Sequence, residues 1–149
     1  MFLGTRRAEA RHVSHHILLV DDEPTFRRII SRHLAHQGLE VTTASNGRDA
    51  LLLALQGRFD AVLSDLQMPL MSGLELLPRL QAVLGDVPIV LMSGSQLLSG
   101  RQDALARGAF DYLRKPLELE ELTRVMHRAV SRSKRSCLGS GDAPLQLAE

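Results

Sequence analysis

The feature that most restricts this chain is an alternation, repeated five times, of a short apolar run with a longer segment of helical period. "HILLV" is followed by "DDEPT", whose acids, proline and polar cap read as a helix start. "FRRIISRHLAHQG" then sets Phe26, Ile29, Ile30 and Leu34 on one face and ends on Gly38. "LEVTTA" alternates like a strand, and "NGRDALLLALQG" closes a second helix on Gly57. "FDAVLSD" is apolar enough to be buried on both faces, as strands of parallel sheets are. "SGLELLPRLQAVLG" follows as a third helix, with Pro78 expected to kink it or to occupy its first turn. "VPIVLMSG", "SQLLSGRQDALARG", "AFDYLRK" and "LELEELTRVMHRAVSRS" supply two further strand and helix pairs. Such an order predicts an α/β fold, a doubly wound five-stranded parallel sheet with helices on both faces and right-handed crossovers.

In such a sheet the residues just beyond the strands' carboxyl ends converge on one edge, where open α/β folds bind their ligands. The first strand delivers Asp21 and Asp22, the third Asp65, the fourth Ser93 and the fifth Lys115. Three anions gathered at a low-dielectric edge repel, so the group is stable only with a cation or with shifted protonation. Mg2+ suits the set best, because it takes oxygen ligands and characteristically joins one or two carboxylates to a phosphoryl oxygen. Each residue also has a plainer role open to it. Asp21 and Asp22 can serve as acids at a helix start, Asp65 as a turn residue, Ser93 as a loop cap, Lys115 as a solvated charge and Tyr112 as strand packing.

Four stretches in order, "VDDEP", "SDLQMPLMSG", "LMSG" and "GAFDYLRKP", each at the expected strand end, resemble the receiver domain of two-component response regulators. The resemblance spans residues 17–131 and implies a CheY-like, flavodoxin-like (βα)5 receiver fold. It implies that Asp65 is the phosphoacceptor, a carboxylate nucleophile, and that Asp22, Asp65 and the backbone carbonyl of Gln67 ligate Mg2+ while Asp21 acts through water. Lys115 is then expected to pair with Asp65 at rest and with phosphoryl oxygens afterwards. Ser93 and Tyr112 are the implied switch pair, and the implied responsive face is the fourth helix, fifth strand and fifth helix. A cis bond between Lys115 and Pro116 is part of the same resemblance. Ser93 stands where threonine is frequent in the family, and Gln67 and Ser95 occupy variable positions beside the phosphoryl site.

The implied partners are a histidine kinase or histidine phosphotransfer protein and a downstream effector protein, with a homodimer through the responsive face as a further possibility. The implied protein is a switch rather than a metabolic enzyme. Two other functions are compatible with the architecture. A Mg2+-dependent phosphohydrolase wants a second acid two residues after its nucleophile and a substrate-binding cap, and a flavin-phosphate binder wants a phosphate-cradling loop where "DDEPT" is acidic. A pseudo-receiver that binds partners without phosphorylation is the third alternative.

Composition narrows the setting. The 149 residues suit one domain, read as a polar leader (1–15), a receiver (16–132) and a flexible tail (133–149) too short for an output domain. With 18 lysines and arginines against 17 acids, no overall field points to nucleic acid. Arg124, Arg128 and Arg132 recur at helical spacing and read as a solvated face, as do Arg27, Arg28, Arg32, His33 and His36. The single cysteine, Cys137, fits a reducing compartment. The leader has the wrong order for a secretory signal, and no apolar run reaches the roughly 20 residues of a membrane span, so a cytoplasmic protein without membrane insertion is expected.

Overall fold

The computed structural model describes residues 14–94 and 100–148, with side chains described to residue 133. Ser95, the leader's first 13 residues and the side chains of Lys134, Arg135 and Cys137 lie outside the described residues. The strands are β1 (His15–Val20), β2 (Leu39–Ala44), β3 (Ala61–Asp65), β4 (Ile89–Ser93) and β5 (Asp111–Arg114). The helices are α1 (Pro24–His36), α2 (Gly47–Gln56), α3 (Gly73–Leu84), α4 (Arg101–Ala106) and α5 (Leu119–Ala148). All strand pairs are parallel, in the order β2-β1-β3-β4-β5. The reversal of direction falls at β1, so the edge beyond β1 and β3 is the switch point of the sheet.

Alternation along each strand divides the core into two layers. Leu18, Val20, Val62 and Leu91 face α2, α3 and α4, where they meet Ala50, Ala54, Leu76, Leu77, Leu80 and Ala104. Ile17, Leu19, Leu63, Val90 and Met92 face the other way and meet Ile30 and Leu34 of α1 and Leu122, Val125, Met126 and Ala129 of α5. Every residue of β3 and β4 is buried, which is why their sequences read as unbroken apolar runs rather than as alternation. A fully buried leucine of this kind contributes about 1.5–3 kcal/mol relative to an exposed one.

Local signals set the helix starts. Asn46 Oδ1 accepts from the Asp49 amide at 2.8 Å and caps α2. Ser72 and Glu75 form a reciprocal capping box on α3, Ser72 Oγ accepting at 3.2 Å and Glu75 Oε1 accepting at 3.1 Å. Three boundaries differ from expectation. α3 runs through Pro78, which sits beyond the first turn and so removes only one helical bond, the one Leu74's carbonyl would accept. Among the described residues the fourth helix begins only at Arg101, behind Gly100 at φ 138°. The backbone of the last helix continues to Ala148 across the stretch read as a tail, which has no apolar period to signal it. No helix among the described residues is long and apolar enough to cross a membrane.

Candidate phosphoryl-transfer site

The sheet's carboxyl edge brings Asp21, Asp22, Asp65 and Lys115 together. Lys115 Nζ lies 2.8 Å from Asp21 Oδ2 and 3.3 Å from Asp65 Oδ2. One oxygen from each of Asp21, Asp22 and Asp65 lies within 4.8 Å of the others. Asp21 is 0% exposed and Asp65 4%, whereas Asp22 faces solvent. The ammonium therefore holds two buried carboxylates, and the third closes the open side of the cluster.

Backbone contacts fix this arrangement. Asp21 donates its amide to the Ala44 carbonyl at 3.1 Å, which extends the β1–β2 ladder by one residue. Its Oδ1 accepts from the Glu23 amide at 2.8 Å, and its carbonyl accepts from Arg27 Nη1 at 2.7 Å. Asp65 Oδ1 accepts from the Gln67 amide at 3.2 Å. The Lys115 amide donates to the Ser93 carbonyl at 2.9 Å, so β4 positions the lysine, and the bond after Lys115 is cis. The ammonium also stands over the Phe26 ring, 4.2 Å from its centre, a cation–π contact that screens one side of it from water.

Desolvation is the largest influence on Asp65 and pushes its carboxyl above the ordinary range. Lys115 opposes this, the Asp21 charge reinforces it, and the Gln67 amide opposes it again. For Lys115, burial works against the charge but is outweighed by the hydrogen bond to Asp21 and the charges of Asp65 and Asp21, so its proton is held more tightly than usual.

The loop presenting Asp65 is anchored by Gly73. Its amide donates to the Leu66 carbonyl at 2.9 Å, and a Cβ there would collide with the Asp65 carbonyl and the Leu66 Cα. Leu70, in the same loop, adopts φ 74° while 99% exposed, a left-handed conformation unusual for leucine. Ser93 is buried at the end of β4. Tyr112, 7% exposed, lies on β5 opposite Leu91. It therefore shares the face of Ser93, offset by two residues, and packs in the apolar layer rather than on the surface.

Four contacts in and near the site carry no signal in the sequence. By sequence Phe26 reads only as core, and Arg27 only as surface charge. Asp111 is buried, with Arg101 Nε 2.7 Å from its Oδ1 and Arg128 Nη2 2.8 Å from its Oδ2, so Arg128 is not simply solvated. None of these depends on local period, and only the Arg128 spacing is legible in the sequence.

Comparison with known proteins gives the family. The family model described as response regulator receiver domain matches residues 17–127. The regulatory protein AtoC of Escherichia coli (strain K12) is 40% identical over 114 residues, which are 76% of this chain and 25% of AtoC. The response regulator MprA of Mycolicibacterium vanbaalenii is 39% identical over 127 residues, 85% of this chain and 54% of MprA. Among solved structures, the chemotaxis protein CheY4 of Vibrio cholerae aligns with a TM-score of 0.72 at 33% identity, covering 78% of this chain and 99% of that one. The receiver domain of a sensor histidine kinase from Pseudomonas aeruginosa PAO1, with a magnesium ion coordinated in its active-site cleft, aligns at 0.70 and 31% identity, covering 80% and 99%. The chain spans a quarter to about half the length of AtoC and MprA.

Proposed function

The chain belongs to the response regulator receiver domain family of two-component signalling, and on that premise we propose that it accepts a phosphoryl group from a phosphohistidine onto Asp65. Receivers as a family are signalling switches that interact with kinases and effectors and bind Mg2+ at an acidic site. The observation that carries the finer reading is the convergence of Asp21, Asp22 and Asp65 with Lys115 at the sheet's switch point.

In the proposed step a carboxylate oxygen of Asp65 attacks phosphorus, the bond from phosphorus to the imidazole nitrogen of the donor breaks, and the imidazole leaves carrying the bonding pair. The donor set fits Mg2+, since its side-chain ligands are hard oxygens close enough to share one ion. Asp22, Asp65 and the Gln67 carbonyl would hold it directly and Asp21 through water, and it supplies positive charge against the phosphoryl oxygens. Lys115 supplies a second cation and, being tightly protonated, stays charged throughout. The Ser93 hydroxyl then bonds a phosphoryl oxygen, and Tyr112 fills the space on the same face, which biases α4, β5 and α5 toward their active arrangement. Moving that equilibrium from about 1:99 to 99:1 takes about 5.5 kcal/mol of preference, within reach of several charge-assisted hydrogen bonds.

The donor is a histidine kinase or histidine phosphotransfer protein, the reader a downstream effector protein or a second copy of the chain, and the setting the cytoplasm. Incubation with acetyl phosphate and Mg2+, followed by intact mass measurement, tests the reading. Wild type is expected to gain one phosphoryl mass and Asp65→Asn none. Absence of label from this donor and from a phosphohistidine donor would mark the protein as a pseudo-receiver.

A further inference from the structure

A cleft of about 420 Å³ lies at the carboxyl end of β2, the edge strand of the sheet. That volume falls within the roughly 300–1,000 Å³ of small-molecule sites. α1 packs on one face of the sheet and α2 on the other, so the cleft has a wall from each face and the end of β2 as its floor. The Ala44 carbonyl accepts from the Asp21 amide, so the backbone groups of Ala44 face β1 and those of Thr43 face the open edge.

The two walls carry opposite charges. α1 supplies Arg27, half-buried, whose Nη1 donates to the Asp21 carbonyl at 2.7 Å. α2 supplies Asp49, whose Oδ2 accepts from Asn46 Nδ2 at 3.1 Å. Both charged groups are thus held in place by neutral partners, and among the described residues neither has an ion-pair partner. They line one cleft yet stay beyond ion-pair distance of each other, because they come from opposite faces of the sheet. Leu52 and Leu53, one turn beyond Asp49, complete the α2 wall, and Leu52 is left 48% exposed.

This combination selects a ligand by its charges. A guanidinium anchored through one nitrogen keeps donors for a carboxylate, Asp49 accepts from an ammonium, and the leucines cover a short aliphatic chain. A simple anion would be repelled by Asp49, and a simple cation by Arg27. For a phosphate group the one guanidinium and the one carboxylate offset each other. We infer that the cleft between α1 and α2 binds a small amphoteric molecule, with a carboxylate at one end, an ammonium at the other and an aliphatic chain between them. The inference does not rest on the receiver reading. Through Arg27, such a molecule would stand one side chain away from the backbone of Asp21.

Amide NMR spectra of nitrogen-labelled protein, titrated with 5-aminopentanoate, test the inference, with pentanoate and pentylamine as comparators that each lack one charge. Expected are saturable shifts at the amides of Ser45, Asp49 and Leu52, with each comparator binding about tenfold or more weakly. Asp49→Asn keeps the size of the side chain and its place beside Asn46, and should weaken 5-aminopentanoate by a similar factor. Arg27→Gln should do the same, and the dispersion of the same spectra shows that each variant is folded. Binding that is absent, that either comparator matches, that shifts amides elsewhere instead, or that survives Asp49→Asn overturns the inference. All of these titrations use unphosphorylated protein, so their failure leaves the receiver reading standing, and failure of Asp65 labelling leaves the cleft standing.

Discussion

At the scale of single residues, the site is a balance between two buried carboxylates and one ammonium, and pH moves that balance in a defined direction. The Asp65 carboxyl is raised by burial, so its contribution to stability is fully present below its unfolded value and is lost as pH rises through its higher folded value. Its ionised form is therefore a cost to the metal-free fold at neutral pH. Asp65→Asn should raise metal-free stability at pH 7 and remove this slope on the acid side, both read from urea melts across pH. The raised Lys115 acts in the alkaline range, where its contribution is lost as pH climbs through its folded value. Lys115→Ala leaves Asp21 and Asp65 facing each other without a cation. It should cost about 1–3 kcal/mol, discounted because the lysine is partly exposed, and should slow labelling of Asp65 by acetyl phosphate at least tenfold. A variant that labels at the wild-type rate would remove Lys115 from the proposed chemistry.

At the scale of elements, the site exists because turns after β1, β3 and β5 leave the sheet at the same edge. The β3 turn is the most constrained, since Gly73 opens α3 in contact with the backbone of Asp65 and Leu66. Gly73→Ala should displace that backbone, costing about 2–4 kcal/mol in denaturant melts and lowering Asp65 labelling even at temperatures where the variant is folded. Much of this level was legible in the sequence. Strands buried on both faces announce themselves as short apolar runs, and the order of five such runs leaves few topologies. Asp21, Asp22, Asp65 and Lys115 could be gathered because strand ends in a parallel sheet share an edge. What stayed hidden depends on tertiary contact. The Arg27 bond to the Asp21 carbonyl, the Phe26 ring beneath Lys115 and the Arg101–Asp111–Arg128 bridge join residues whose spacing predicts nothing about one another. The left-handed Leu70 was equally invisible, because only glycine and asparagine advertise that conformation.

At the scale of the whole molecule, two surfaces of opposite charge stand out. One is the acidic edge, where separated strands pool carboxylates around Lys115. The other is the basic stripe of Arg124, Arg128 and Arg132 on α5, tied through Asp111 to β5 and α4. Ser93 ends β4 and Lys115 follows β5, the strand that carries both Tyr112 and Asp111, so a change at the first surface has a short covalent route to the second. The account stands on the first surface. Borohydride reduces an aspartyl phosphate to homoserine, so trapping the protein after treatment with acetyl phosphate and Mg2+, then mapping peptides by mass spectrometry, reads the acceptor directly. The account predicts homoserine at position 65 alone, and none when Mg2+ is withheld. Homoserine at another position, or phosphate retained on a histidine with position 65 unchanged, would contradict it.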